Sequence, residues 1–494
     1  MKKPLLFLTG LVLATVILMQ CTSVEKTDLN EDDIVANVTP VALPNNIVPG
    51  FNFPEDSSVI LGWTNDNNFG NSYDSASIYK HAWGIWAGLT ASSGQKFAGD
   101  DLLVYETWMG LSEVRDLVIN NNLNGGCEGV AFKRNGRALL SRPKQFEHAA
   151  RFSGKNITDV KAFDPQTNSS QWVTVSYSPD AACWATSKQL FKQSVINKYY
   201  EAGGFGAIPE FPNKSITIKP TYLVYADTGG LFKMPVWKTA PTPADSNFLK
   251  NPDTYDYVFV DKYNKQPSNK VAVPVSNSET DSNKIAAATI NLSNFISIKV
   301  DKKMAAFMNT QDSIQGLNHG GKATKGQIAI LVGMHVTTKE IKNWTWQSYY
   351  WTPNPKHPGS PSSDLAASLR PSEIKGAAAN YACVAAYVML TPNNAPNNQA
   401  TGAMFGYNPY LEGGFGPGTF AYKNTYNKDF QYGVQTNCMS CHALAQPPQS
   451  AIYSTDQTID LKSEYFKDQV TLDFAWSIQT ALINDTVPYW VKKK

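Results

Sequence analysis

Residues 326–338 read Gly-Gln-Ile-Ala-Ile-Leu-Val-Gly-Met-His-Val-Thr-Thr. In a strand, successive side chains point to opposite sides. Ile328, Ile330, Val332, Met334 and Val336 therefore share one face, and Ala329, Leu331, Gly333 and His335 the other. Both faces are mostly apolar, which predicts a strand covered on both sides in the interior of a sheet. Upstream, Thr221 to Ala226, Tyr255 to Val260, Lys270 to Val275 and Ala288 to Val300 are rich in Val, Ile, Thr and Tyr and are separated by turn residues. Together these runs predict a central antiparallel sheet.

Farther out the pattern becomes helical. Ser75 to Thr90 places Ile78, Ala82, Ile85 and Trp86 near one side of a helix, and Ala181 to Ala202 carries Trp184, Phe191, Val195 and Tyr199 with Gly203 and Gly204 as its stop. After the central strand come the aromatic cluster Trp344, Trp346, Tyr349, Tyr350 and Trp351 and the apolar segment Tyr381 to Leu390. A Gly-rich stretch from Thr401 to Phe420 follows. In the tail, Leu461 to Leu482 spaces Phe466, Val470, Phe474 and Ile478 four apart, predicting a terminal helix. The fold class expected is α+β, with a large body at 51–425 built on a central antiparallel sheet with flanking helices. A small helical region is expected at 426–494.

Cys438, Met439, Ser440, Cys441 and His442 spell C-x-x-C-H. Two thiols one helical turn apart can each bond a haem vinyl group, and the adjacent imidazole then reaches the iron from the proximal side. One covalent haem c is therefore expected, with Cys438 and Cys441 as thioether positions and His442 as proximal ligand. A zinc site would need a second closely spaced Cys or His pair, which the chain lacks.

Thioether attachment of haem is extracytoplasmic in bacteria, and the N-terminus agrees with export. Lys2 and Lys3 precede an apolar run from Leu5 to Met19, shorter than the roughly twenty residues that span a bilayer. Residues 1–20 are thus expected to be a signal peptide. Cys21 follows directly and resembles the lipid-bearing cysteine of bacterial lipoproteins, with 21–50 as a flexible tether. This places the chain at the cell envelope, on a periplasmic or outer-membrane surface, held by its lipid. With 43 basic and 41 acidic residues, no electrostatic case for a nucleic-acid partner exists. Cys127, Cys183 and Cys383 remain, and in an oxidising compartment they predict one disulfide and one buried free thiol.

The second axial position of the iron has to be filled from upstream or left open. No Met follows Met439 and no His follows His442. Of His81, His148, His319, His335 and His357, His335 is the first choice, because a strand holds it rigidly. Met404, in the Gly-rich stretch, is the alternative thioether ligand.

The segment 434–445, VQTNCMSCHALA, resembles the attachment region of c-type cytochromes. The body is similar to large bacterial exported proteins with a single C-terminal cytochrome c motif, through His81 to Leu89, Val104 to Met109, Leu331 to Trp351, Tyr407 to Glu412 and Asp473 to Trp476. That group has no assigned reaction, so the resemblance implies haem and export but no substrate. Electron transfer to an unidentified redox partner protein is the expectation, with the body supplying the distal ligand. The alternatives are a haem enzyme of peroxidase or oxygenase type with an open sixth position, and a ligand-binding module with a structural or sensory haem.

Overall fold

The computed structural model describes residues 36–64, 74–120, 132–134, 136–143, 163–164, 169–226, 229–237, 255–267, 271–315, 322–359, 361–387, 407–412, 438, 442–447 and 461–491. The leader, Cys21, the first part of the tether, Cys127, His148, His319, Met404 and Cys441 lie outside the described residues. No described helix is long and apolar enough to cross a membrane.

Among the described residues, nine strands form the main sheet: β1 (Met109–Gly110), β2 (Phe163–Asp164), β3 (Ser169–Val173), β4 (Ser176–Tyr177), β5 (Ile216–Tyr225), β6 (Ser297–Lys299), β7 (Ile328–Thr338), β8 (Thr345–Trp351) and β9 (Tyr381–Ala385). Its path runs β9, β8, β7, β5, β3, β2, while β6 also pairs with β7 and β4 joins β5 to β1. Every pairing is antiparallel. The two-faced apolar stretch is β7, in the interior between β5 and β8, and only Ile328 and His335 in it are incompletely buried. The molecule is thus mixed α and β with a large antiparallel sheet.

One face of the sheet carries the packed core. Helix Ser75–Leu89 starts where the Asp74 carboxylate accepts from the Ser77 amide, and it stops at Thr90, whose hydroxyl donates to the Trp86 carbonyl. Its apolar side buries Ile78, Ala82, Trp83, Ile85 and Trp86 completely. Trp86 stacks on Tyr349 of β8 at 4.4 Å between ring centroids and donates its indole N–H to the Ala378 carbonyl at 3.0 Å. Burying one indole contributes roughly 4–6 kcal/mol by area.

Several expectations need correction. The helix expected at 181–202 is broken: Pro179–Ser187 ends before Gln189, whose φ of 52° lies in the left-handed region, and short turns at Gln193–Ile196 and Asn197–Tyr199 follow. Gly203 and Gly204 therefore cap no long helix. Residues 271–275 touch the neighbouring strand only at Val275, and Ala288 to Val300 is two short strands, Thr289–Asn291 and Ser297–Lys299, around a 3-10 turn. Thr289–Asn291 pairs in parallel with Asp256–Asp261, outside the main sheet. The tail is not one helix either. It is a turn at Glu464–Phe466, a short strand at Val470–Thr471 and a helix at Trp476–Thr480, interrupted by left-handed residues Asp468, Asp473 and Phe474. Val470–Thr471 pairs with Gly206–Ala207, which ties the tail into the body. Cys183 is disulfide-bonded, and Cys383 is a buried free thiol.

Candidate functional site

The second face of the sheet opens onto a cavity of about 500 Å³. Register explains its wall. Lys219 of β5, His335 of β7, Ser348 of β8 and Val384 of β9 stand opposite one another in a row. Thr217, Thr337 and Trp346 form the adjacent row, and the two threonine hydroxyls bond at 2.9 Å. All seven line the cavity, and so do Glu412, Cys438, His442 and the tail residues Phe474 and Trp476. The C-terminal motif and the face of the central strand that bears His335 therefore enter one space.

The ring of His442 is fixed on several sides. Its Nδ1–H donates to the Phe474 carbonyl at 2.8 Å, and the ring lies 4.6 Å from Trp346 and 6.0 Å from Trp476, centroid to centroid. That bond selects the tautomer in which Nε2 carries the lone pair. Burial, together with the nearby His335 and Lys219, pushes His442 down to about 4, against the pull of the Phe474 carbonyl. At neutral pH the imidazole is an uncharged donor.

Phe474 presents its carbonyl because two consecutive non-glycine residues, Asp473 (φ 47°) and Phe474 (φ 62°), adopt left-handed backbone. Such residues cost on the order of 1–3 kcal/mol each unless their surroundings fix them. The fixing comes from Asp473, whose carboxylate accepts from Lys339 Nζ at 2.6 Å, the Trp344 indole at 3.3 Å and the Phe211 amide at 2.9 Å. Lys339 directly follows the last residue of β7.

On the sheet side, His335 Nε2 lies 2.5 Å from Glu412 Oε1, and the other Glu412 oxygen accepts from the Asn408 amide at 2.5 Å. Asn408 is completely buried against β7 and β8. It donates to Ser348 Oγ and the Tyr349 carbonyl, each at 2.9 Å. Only a glycine beneath it permits this, since a Cβ on Gly333 would sit 2.5 Å from Asn408 Nδ2. Lys219 is pushed down to about 8 by burial, with Glu412 opposing.

The donor set fits a haem c. A neutral imidazole with its Nδ1 secured and the Cys438 thiol, which enters no disulfide, both line a cavity of ligand size. Cys438 and His442 would hold the group together with Cys441, and the iron would supply redox or ligand-binding chemistry. His335, the distal candidate, does line this cavity, but its Nε2 is engaged by Glu412. His81 instead sits buried on the other side of the sheet, bonded to Tyr387 at 2.6 Å and Glu340 at 3.1 Å, and His357 pairs with Asp364 at an exposed position. Among the described residues no group of three or more His, Cys, Asp or Glu is arranged to hold a bare metal ion.

Sequence reasoning missed Lys219, Glu412 and Asp473. Lys219 did carry a signal: it breaks the apolar alternation of β5, two residues from Thr217 on the same face. No protein-family model, curated protein or solved structure matches this chain.

Proposed function

We propose that this chain is an exported mono-haem c-type cytochrome that transfers electrons at the cell envelope, anchored to a membrane surface through Cys21. In this proposal Cys438 and Cys441 hold the haem, His442 ligates its iron, and residues 426–494 form the attachment region. The observation that supports it is the His442 Nδ1 bond to the Phe474 carbonyl, which leaves the lone pair on the remaining ring nitrogen, the state a metal ligand needs. The distal ligand is His335, with Met404 as the alternative.

A second reading, a haem enzyme with an open sixth position, is favoured by one contact. The Glu412 carboxylate already occupies Nε2 of His335, as it would in an acid-base or ligand-orienting group. The test is expression of the full chain in a host competent in cytochrome maturation, followed by the pyridine haemochrome spectrum and intact mass. One covalent haem is expected, lost in Cys438→Ala and Cys441→Ala. A mature, exported protein without the added mass refutes the proposal. A low-spin spectrum that turns high-spin in His335→Ala or Met404→Ala assigns the ligand and supports electron transfer, whereas high-spin wild-type iron that binds carbon monoxide supports the enzyme.

A further inference from the structure

The face of the sheet turned away from the cavity holds a second group of titratable side chains, His81, Glu340 and Tyr387, none more than 5% exposed. Glu340 Oε1 lies 3.1 Å from His81 Nε2 and also accepts from the Glu55 amide at 2.7 Å, while Oε2 accepts from the Thr338 hydroxyl at 2.5 Å. Both carboxylate oxygens accept, so His81 donates from Nε2 and keeps its lone pair on Nδ1. The Tyr387 hydroxyl, 2.6 Å from that Nδ1, is therefore the donor. Phenol, imidazole and carboxylate thus form one directed chain. The rings of Phe51 and Trp63, each 5.6 Å from that of His81 between centroids, pack against it. Position also ties the chain to the cavity. Ala386, the residue before Tyr387, lines the cavity, and its amide donates at 2.7 Å to the carbonyl of Trp346, whose ring packs 4.6 Å from His442.

We infer that Tyr387 is a redox-active tyrosine, a donor to one-electron oxidants, with His81 and Glu340 as the relay that takes its proton. Removing an electron from a phenol makes its hydroxyl strongly acidic, so a buried tyrosine gives up an electron readily only where a base already holds that proton. The Nδ1 of His81 stands at the distance a general base needs. In the step, the O–H bond of Tyr387 breaks. One electron goes to the oxidant and the proton goes to His81 Nδ1, while the Nε2 proton of His81 passes to Glu340 Oε1. The histidine ends neutral, the carboxylate ends protonated, and a neutral tyrosyl radical remains. Burial pushes the Tyr387 hydroxyl well up, with Glu340 and Cys383 adding to the effect, so the proton is still in place when the electron leaves. Such a site goes beyond the cytochrome reading and stands without it, because the relay shares no residue with Cys438, Cys441 and His442.

The test uses the full, matured chain with photogenerated tris(bipyridyl)ruthenium(III), which takes one electron to become ruthenium(II). Freeze-quench EPR reads the radical, and ring-deuterated tyrosine identifies it as tyrosyl. Wild type is expected to give a tyrosyl signal that forms more slowly in heavy water, and Tyr387→Phe, which removes a single hydroxyl, should lose it. His81→Gln replaces the base by a hydrogen-bond acceptor of similar size. The radical yield should then fall by on the order of tenfold or more, a decade for each pKa unit of base strength lost, while the urea unfolding midpoint stays near that of wild type. A purely structural role for the chain would instead move the midpoint and leave the yield unchanged. Should His81→Gln not fold, Tyr387→Phe and the heavy-water rate decide. A tyrosyl signal that persists in Tyr387→Phe overturns the site, and so does one whose rate ignores heavy water. A colourless protein that still forms the Tyr387 radical refutes the cytochrome reading alone, and a coloured one that forms none refutes the redox tyrosine alone.

Discussion

Substituting Gly333 by Ala places a methyl group where the side chain of Asn408 now lies. The new Cβ would be 2.5 Å from Nδ2, 2.8 Å from Oδ1 and 3.0 Å from Cγ, contacts that no folded chain sustains. Asn408 has to move, and three hydrogen bonds go with it: to Ser348 Oγ, to the Tyr349 carbonyl, and from the Tyr410 amide at 3.0 Å. At about 1 kcal/mol each, plus about 1–3 kcal/mol for a buried group left without a partner, the expected loss is about 4–6 kcal/mol. Equilibrium urea unfolding measures it. Asn408→Ala provides the control, because it removes all three atoms that the methyl group meets. In that background Gly333→Ala should cost less than about 1 kcal/mol, so the double-mutant cycle shows a coupling of several kcal/mol. Equal costs in the two backgrounds would refute the proposed packing. So would a cost below about 1 kcal/mol in the wild-type background.

Other measurements test other parts of the molecule. Trp86→Ala should destabilise by about 3–5 kcal/mol in the same assay, from the lost indole and the cavity left against Tyr349. Lys339→Met leaves Asp473 buried without its cation and should cost about 3–5 kcal/mol, while pairing it with Asp473→Asn should recover part of the loss. In the haem-free chain, His442 takes up its proton near pH 4 when folded and near its ordinary 6.5 when unfolded. The unfolded state then binds more protons between those limits, so stability should fall as pH drops from 6.5 towards 4, by no more than about 1.4 kcal/mol per pH unit. His442→Asn should remove that slope, and an unchanged slope would refute the assignment. Cys383, whose thiol is pushed well up by burial, should resist alkylation in the folded protein and react only on unfolding, as read by intact mass.

Sequence periodicity found β7 because apolar side chains on both alternating faces suit a strand covered on each side and little else. It found the helix at Ser75–Leu89 because Ile78, Ala82, Ile85 and Trp86 fall on one helical face, and the structure adds the Asp74 cap and the Thr90 stop. The tail shows where periodicity fails. Phe466, Val470, Phe474 and Ile478 satisfy a helical spacing, yet Asp468 accepts from the Gly203 amide at 2.6 Å and Asp473 from Lys339, Trp344 and Phe211. These partners lie more than a hundred residues away, and no local pattern encodes them. The site divides in the same way. Cys438 and His442 stand out in the sequence by the spacing of their motif and His335 by its strand, and the structure brings the three to one cavity. Glu412 and Lys219 meet His335 only through tertiary register.

The two sides of the cavity are not independent, because β7 serves both. His335, in the middle of that strand, faces the cavity from the sheet, and Lys339, one residue past its end, clamps the aspartate that shapes the turn behind His442. A one-residue slip of β7 would turn His335 to the opposite face and draw Lys339 away from Asp473 at once. Strong register at β7 therefore sets the geometry of the cavity as well as contributing to stability. The covered faces of the strand supply it, since any slip would exchange His335 and Thr337 with Met334 and Val336 and bury polar groups against the Trp86 side of the sheet. The packing core on one face thereby sets the geometry of the cavity on the other.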